Sequence, residues 1–131
     1  MKILIVEDSK LFRDTLRKLM SSYGVSTTVE NGVEALKAFE DQLQHDDPFD
    51  LVFLDIMMPE MDGETALNSL RIIEDNYGIG GLDRARIVMT TSIEDPKTIM
   101  RTFKDQADGY LLKPVQEKKL VGLMKYLHLI E

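Results

Sequence analysis

A chain of 131 residues, 44% hydrophobic and 30% charged, has the size and balance of one water-soluble domain with a real core, spanning 1–131. The absence of cysteine excludes disulfides, thiolate metal sites and thiol catalysis, and the net charge of −7 argues against direct binding to nucleic acid. No apolar stretch approaches a membrane span, and Met1-Lys2 leads into a strand rather than a signal peptide; a cytoplasmic location without membrane insertion is the expectation.

Lys2 to Val6 reads as a buried strand that ends in Glu7-Asp8. Ser9 is a candidate N-cap for a helix whose apolar stripe is Phe12, Leu16, Leu19, Met20 and Tyr23, with Gly24 placed to close it in a left-handed cap. The β-branched run Val25 to Val29 predicts a second strand, partly exposed at a sheet edge. Asn31-Gly32 then turns the chain into a helix bearing Ala35, Leu36, Phe39 and Leu43; residues 44–47 are polar, and Pro48 stops any continuation.

The apolar run 51–54 suits a strand covered on both faces and ends on Asp55, ahead of Pro59 and the turn pair Asp62-Gly63. Ala66, Leu67, Leu70 and Ile73 outline a third helix. Residues 75–85, with Gly78 and Gly80-Gly81, form a long connection before the fourth strand, Arg86 to Thr91. Asp95-Pro96 opens a fourth helix buried through Ile99, Met100, Phe103 and Ala107. A short fifth strand, Gly109 to Leu112, ends in Lys113-Pro114, and Leu120, Leu123, Met124 and Leu127 mark a last helix. Five alternating units predict an α/β fold, an open parallel five-stranded sheet with helices on both faces; they are too few for an eight-stranded barrel.

In such a sheet all the carboxyl ends of the strands share one edge, where ligands bind at a topological switch point. Glu7, Asp8, Asp55, Thr91 and Lys113 all stand there. Three neighbouring carboxylates repel one another and either hold a proton or recruit a cation; with oxygen ligands alone, Mg²⁺ is favoured. Lys113 reads as their counter-ion or as a clamp on a phosphate oxygen, to which the Thr91 hydroxyl could also donate. These groups describe phosphoryl transfer to a carboxylate nucleophile.

The acid pair Glu7-Asp8, the run Asp55-Ile56-Met57-Met58-Pro59-Glu60-Met61-Asp62-Gly63, the pair Thr91-Ser92 and the run Gly109-Tyr110-Leu111-Leu112-Lys113-Pro114 appear in that order, each at a strand end. Together they resemble the receiver domain of two-component response regulators, most closely the single-domain, chemotaxis-regulator-like type, and the resemblance covers essentially the whole chain. It implies a three-layer, flavodoxin-like fold of strand order 2-1-3-4-5. Asp55 would be the phosphoacceptor, served by a sensor histidine kinase or a histidine phosphotransfer protein. Asp8, Asp55 and the backbone carbonyl of Met57 would ligate Mg²⁺ (Mn²⁺ is the alternative ion), with Glu7 acting mainly through water. Lys113 would pair with the phosphate, and the Lys113-Pro114 bond would be cis. Thr91 would turn onto the phosphoryl oxygen and Tyr110 would move from an exposed to a buried rotamer. That remodels the surface of the fourth helix, fifth strand and last helix for a downstream protein, a population shift between two packings. Thr91 is chosen over its neighbour Thr90, which points to the opposite face, because the small Ser92 follows it as the family pattern has it.

Two departures stand out. The connection 75–85 is longer than in typical members. Met57 and Ile93, each two residues beyond a site residue, are apolar where the family's hydrolytic water passes, which predicts slow autodephosphorylation. Other features have plainer explanations: His45 as a solvated loop residue, His128 as a helix C-terminal residue, the eight methionines as core filling, and Lys118-Lys119 as a solvated helix face.

Among rival readings, a haloacid-dehalogenase-type phosphatase needs a second Asp where Met57 stands, and a nucleotide-binding module needs a glycine-rich loop that is absent. A receiver-like scaffold not controlled by phosphorylation remains the alternative. The expectation is therefore a phosphoacceptor switch, not an enzyme acting on external metabolites. With no effector domain after Glu131, output would run through protein binding.

Overall fold

The computed structural model describes residues 1–58, 60–92 and 106–131. Five parallel strands form one sheet in the order β2-β1-β3-β4-β5, where β1 is Lys2–Val6, β2 Val25–Val29, β3 Leu51–Asp55, β4 Arg86–Thr91 and β5 Gly109–Leu112. Among the described residues there are four α-helices: α1 (Lys10–Met20), α2 (Gly32–Gln44), α3 (Gly63–Asn76) and α4 (Glu117–Tyr126). The expected fold class and strand order are the observed ones.

Alternation along the central strands sorts their side chains into two cores. Leu4, Val6, Val52, Leu54, Ile87 and Met89 pack with Ala35 and Phe39 of α2 and with Ala66, Leu67 and Leu70 of α3. Ile3, Ile5, Leu51, Phe53 and Val88 pack on the other face with Leu16 and Met20 of α1 and with Leu120 and Met124 of α4. Two-sided burial explains why β1 and β3 are continuous apolar runs. The sheet edge at β2 is half-exposed, as its serine and threonines imply.

Three of the four described helices start on a side-chain cap, Ser9 as expected and Asn31 and Asp62 from residues read as turns; Gln116 before α4 makes no such bond. The side chains of Ser9, Asn31 and Asp62 accept from the amides of Phe12, Glu34 and Thr65 at 3.4, 2.9 and 2.8 Å. The Asp62 carboxyl lies below the usual range because of the Thr65 amide.

Helix ends hold one surprise. Asp46, Gly78 and His128 take positive φ values of 55°, 72° and 59° just past α2, α3 and α4, the left-handed position that stops a helix. Gly24 is not among them: α1 stops at Met20 with Ser21 as a right-handed cap, and Tyr23 packs on the core from beyond the helix. Gly24 is needed for room instead, since a Cβ there would lie 2.0 Å from the Met1 carbonyl oxygen.

The long connection is shorter than expected at its start, because α3 continues to Asn76; it then contains a 3-10 turn at Gly81–Asp83. The expected fourth helix, with Asp95-Pro96, Ile99, Met100 and Phe103, lies outside the described residues. Ala107, assigned to its buried side, is not helical; it is buried in the α2/α3-side core ahead of β5.

Candidate phosphoacceptor site

Two chain segments deliver three acids to one point. β1 ends at Val6 and continues into Glu7 and Asp8; β3, paired directly with β1, ends on Asp55. One oxygen from each of Glu7, Asp8 and Asp55 falls within 4.8 Å of the others, with Glu7 and Asp55 buried and Asp8 exposed. That set of hard oxygen donors, open to solvent on the Asp8 side, fits a small divalent cation. No softer ligand stands with them among the described residues.

The backbone around this cluster is tightly arranged. The Ser9 amide donates to a Glu7 oxygen at 3.0 Å and the Met57 amide to Asp55 Oδ1 at 3.2 Å. Gly63 closes the loop after β3: its amide donates to the Ile56 carbonyl at 2.9 Å, and a Cβ there would sit 2.5 Å from the Asp55 carbonyl oxygen. Within that loop Glu60 adopts φ 68°, uncommon for a residue with a side chain.

Lys113 reaches in from the end of β5. Its ammonium forms an ion pair with Glu7 and stands 3.4 Å from Asp55 Oδ1, and it lies over the Phe12 ring, 4.5 Å from the centroid. Its own amide donates to the Thr91 carbonyl at 2.7 Å, and the Lys113-Pro114 peptide is cis.

Thr90 and Thr91 are both buried, and the register places Thr90 abreast of Asp55 and Thr91 abreast of Leu112. Thr91 therefore shares the α2/α3-side face with Met89 and Tyr110, whereas Thr90 lies on the α1/α4 side with Val88. Tyr110 is half-buried against the α2/α3-side core, and Met57 is exposed beside the site. Glu7, Asp8, Asp55 and Lys113 thus converge, Met57 adjoins them through its amide, and Ile93 is outside the described residues.

Two contributors escaped sequence reasoning. Arg13 donates to the carbonyls of Glu7 and Asp8 at 2.9 and 3.2 Å and pairs with Glu30 at 3.3 Å, pinning the acid-bearing loop. Its spacing from the acid pair carried no signal, because a helical arginine ordinarily faces solvent. Phe12 appeared only as part of an apolar stripe.

Burial pushes the Glu7 carboxyl up to about 7 from 4.5; Asp8 and Asp55 add to the rise, while Lys113 and the Ser9 amide oppose it. A group raised on folding binds its proton more tightly in the native state, so without metal stability falls as pH rises from about 4.5 to about 7. The effect is on the order of 3 kcal/mol at most. In EDTA, Glu7→Gln will match the wild type near pH 5 and melt at a higher temperature at pH 8. Equal melting temperatures at pH 8 would contradict the assignment.

The comparisons agree with this geometry. The family model described as response regulator receiver domain matches residues 3–125. Chemotaxis protein CheY of Halobacterium salinarum is 33% identical over 121 residues, covering 92% of this chain and 90% of that protein. Probable histidine kinase 2 of Oryza sativa subsp. indica is 26% identical over 131 residues, and there the match spans only 12% of the longer protein. Among solved structures, the receiver domain of the histidine kinase CKI1 from Arabidopsis thaliana, complexed with Mg²⁺ and BeF₃⁻, superposes with a TM-score of 0.81 at 24% identity, over 97% of this chain and 89% of that one. With its site at the switch point of a 2-1-3-4-5 sheet, the chain belongs to the response regulator receiver domain family.

Proposed function

We propose that this receiver accepts a phosphoryl group on Asp55 from a phosphohistidine of a sensor kinase or phosphotransfer protein, and that the modification switches its binding to a downstream protein. The observation that carries the reading is the buried Asp55 carboxylate with the Lys113 ammonium 3.4 Å away, inside a cluster of two further acids. An Asp55 oxygen attacks phosphorus in line. The P–N bond to the donor histidine breaks as the O–P bond forms, and the imidazole leaves with its electron pair and takes up a proton from solvent. Lys113 neutralises charge on the transferred group and orients it. Glu7, Asp8, Asp55 and the Met57 carbonyl would hold Mg²⁺ or Mn²⁺, which when bound supplies charge neutralisation and a template for the phosphoryl oxygens. The family membership and the Mg²⁺ in the CKI1 receiver's complex support the same reading.

Thr91 and Tyr110 would relay the change. Both lie on the α2/α3-side face, and the Thr91 carbonyl is bonded to the Lys113 amide, which links the end of β4 to the phosphate-binding lysine. The output surface would then be β5 with α4 and the segment before β5, facing a protein partner. The reading places the chain in the cytoplasm and gives it no turnover on external substrates. No helix among the described residues is long and apolar enough to cross a membrane.

Incubation with acetyl phosphate and Mg²⁺ followed by intact-mass analysis tests the proposal; a passive protein-binding scaffold would gain nothing. A second expectation concerns lifetime. Met57 offers hydrolytic water only a thioether and is exposed beside Asp55. The phosphorylated protein will persist for minutes or longer without a phosphatase, and Met57→Asn will shorten that lifetime about severalfold, within the range of positioned-group effects. A wild-type lifetime of seconds would overturn this.

A further inference from the structure

Lys113 sits at the end of a flexible four-carbon stem, and its side chain is 22% exposed, so something must keep the ammonium from swinging out to water. Glu7 and Asp55 attract it from within the site. On another side stands the ring of Phe12. The first turn of α1 sets that ring in place: the Ser9 hydroxyl accepts the Phe12 amide, while the Ser9 amide is bonded to Glu7. One short segment therefore carries the buried acid, the helix cap and the aromatic face.

Packing alone does not demand an aromatic residue here. Phe12 is only half-buried at the margin of the α1/α4-side core, where an aliphatic side chain would serve the stripe equally well. A ring face offers something an aliphatic group lacks, attraction for a cation that does not depend on which N–H points where. The ammonium can then turn its hydrogens from Glu7 toward a new anionic oxygen on Asp55 without leaving its place.

We infer that Phe12 is a positioning residue for phosphoryl transfer, its ring holding the Lys113 ammonium beside Asp55 while Lys113 changes partners. This rests on the phosphoacceptor reading above. The test is the rate of phosphorylation by acetyl phosphate at saturating Mg²⁺ in the wild type, Phe12→Leu, Phe12→Tyr, Lys113→Met and the Phe12→Leu/Lys113→Met double variant, with thermal melts to confirm folding. Phe12→Leu will be about three- to tenfold slower, the range expected for a cation over an aromatic face. Phe12→Tyr will restore the rate to within about twofold, because the ring remains. In the Lys113→Met background, Phe12→Leu will have no further effect, since residues acting through one interaction are not additive. Equal slowing in both backgrounds, or a Phe12→Leu rate equal to wild type, would overturn the inference while leaving the phosphoacceptor reading intact. A wild type that takes up no phosphoryl group would remove that reading first, and this inference with it.

Discussion

Arg71→Met will cost the protein about 3–5 kcal/mol of stability, the usual penalty for breaking a buried charge pair from one side. Arg71 is 4% exposed and its guanidinium makes four hydrogen bonds. It donates to Glu74 at 2.7 Å, to the carbonyls of Ala85 and Gln106 at 2.8 Å each, and to Asp108 at 2.9 Å. The acids hold backbone in turn: Glu74 accepts the Ala85 amide at 2.7 Å and Asp108 the Ile87 amide at 2.8 Å. This network ties α3 to the starts of β4 and β5, at the sheet edge opposite Asp55. Methionine fills the volume but leaves Glu74 charged and buried, so desolvation outweighs the packing retained. At roughly 3 °C per kcal/mol for a domain of this size, the melting temperature falls by about 10 °C. Adding Glu74→Gln will recover part of the loss, because the amide still accepts from Ala85 without a stranded charge. A fall of less than about 3 °C in Arg71→Met would show that water reaches Glu74 and that the network is worth little.

Asp55→Asn will abolish phosphoryl uptake while leaving the fold intact. The substitution keeps shape, and Lys113 retains its pair with Glu7. What disappears is the nucleophilic oxygen, along with one of three clustered negative charges. Asp55 is among the causes of the raised Glu7 pKa, so its loss relieves repulsion. The metal-free variant is therefore expected to melt no lower than wild type near neutral pH, a change thermal melts in EDTA will register. Uptake is read by intact mass after acetyl phosphate and Mg²⁺. A variant modified as fully as wild type would move the acceptor to another carboxylate, Asp8 first.

The strands were legible because two-sided burial leaves unbroken apolar runs, and Leu51 to Leu54 ending on Asp55 could hardly be read otherwise. The Ser9 cap was legible for a similar local reason, since it acts on an amide three residues away; Asn31 and Asp62, read only as turn residues, cap their helices in the same way. The end of α1 was not legible, because the role of Gly24 depends on Met1, which is distant in sequence. Arg71, Glu74 and Asp108 were missed for the same reason. On a helix, Arg71 and Glu74 look like an ordinary solvated pair, and the partners that show otherwise are carbonyls in the loops before β4 and β5. At the site, Glu7, Asp8, Asp55 and Lys113 could be placed together because parallel topology brings strand ends to one edge. Arg13 and Phe12 could not, since their partners are a backbone carbonyl pair and a lysine roughly a hundred residues away, neither of which leaves a pattern in the chain.

Intact mass of the wild-type protein after incubation with acetyl phosphate, in Mg²⁺ and in EDTA, tests the central claim most directly. The account predicts a gain of one phosphoryl group in Mg²⁺, none in EDTA, and a modified peptide that maps to Asp55. No gain under either condition would contradict it and leave a receiver fold that serves as a binding surface without a phosphoryl switch.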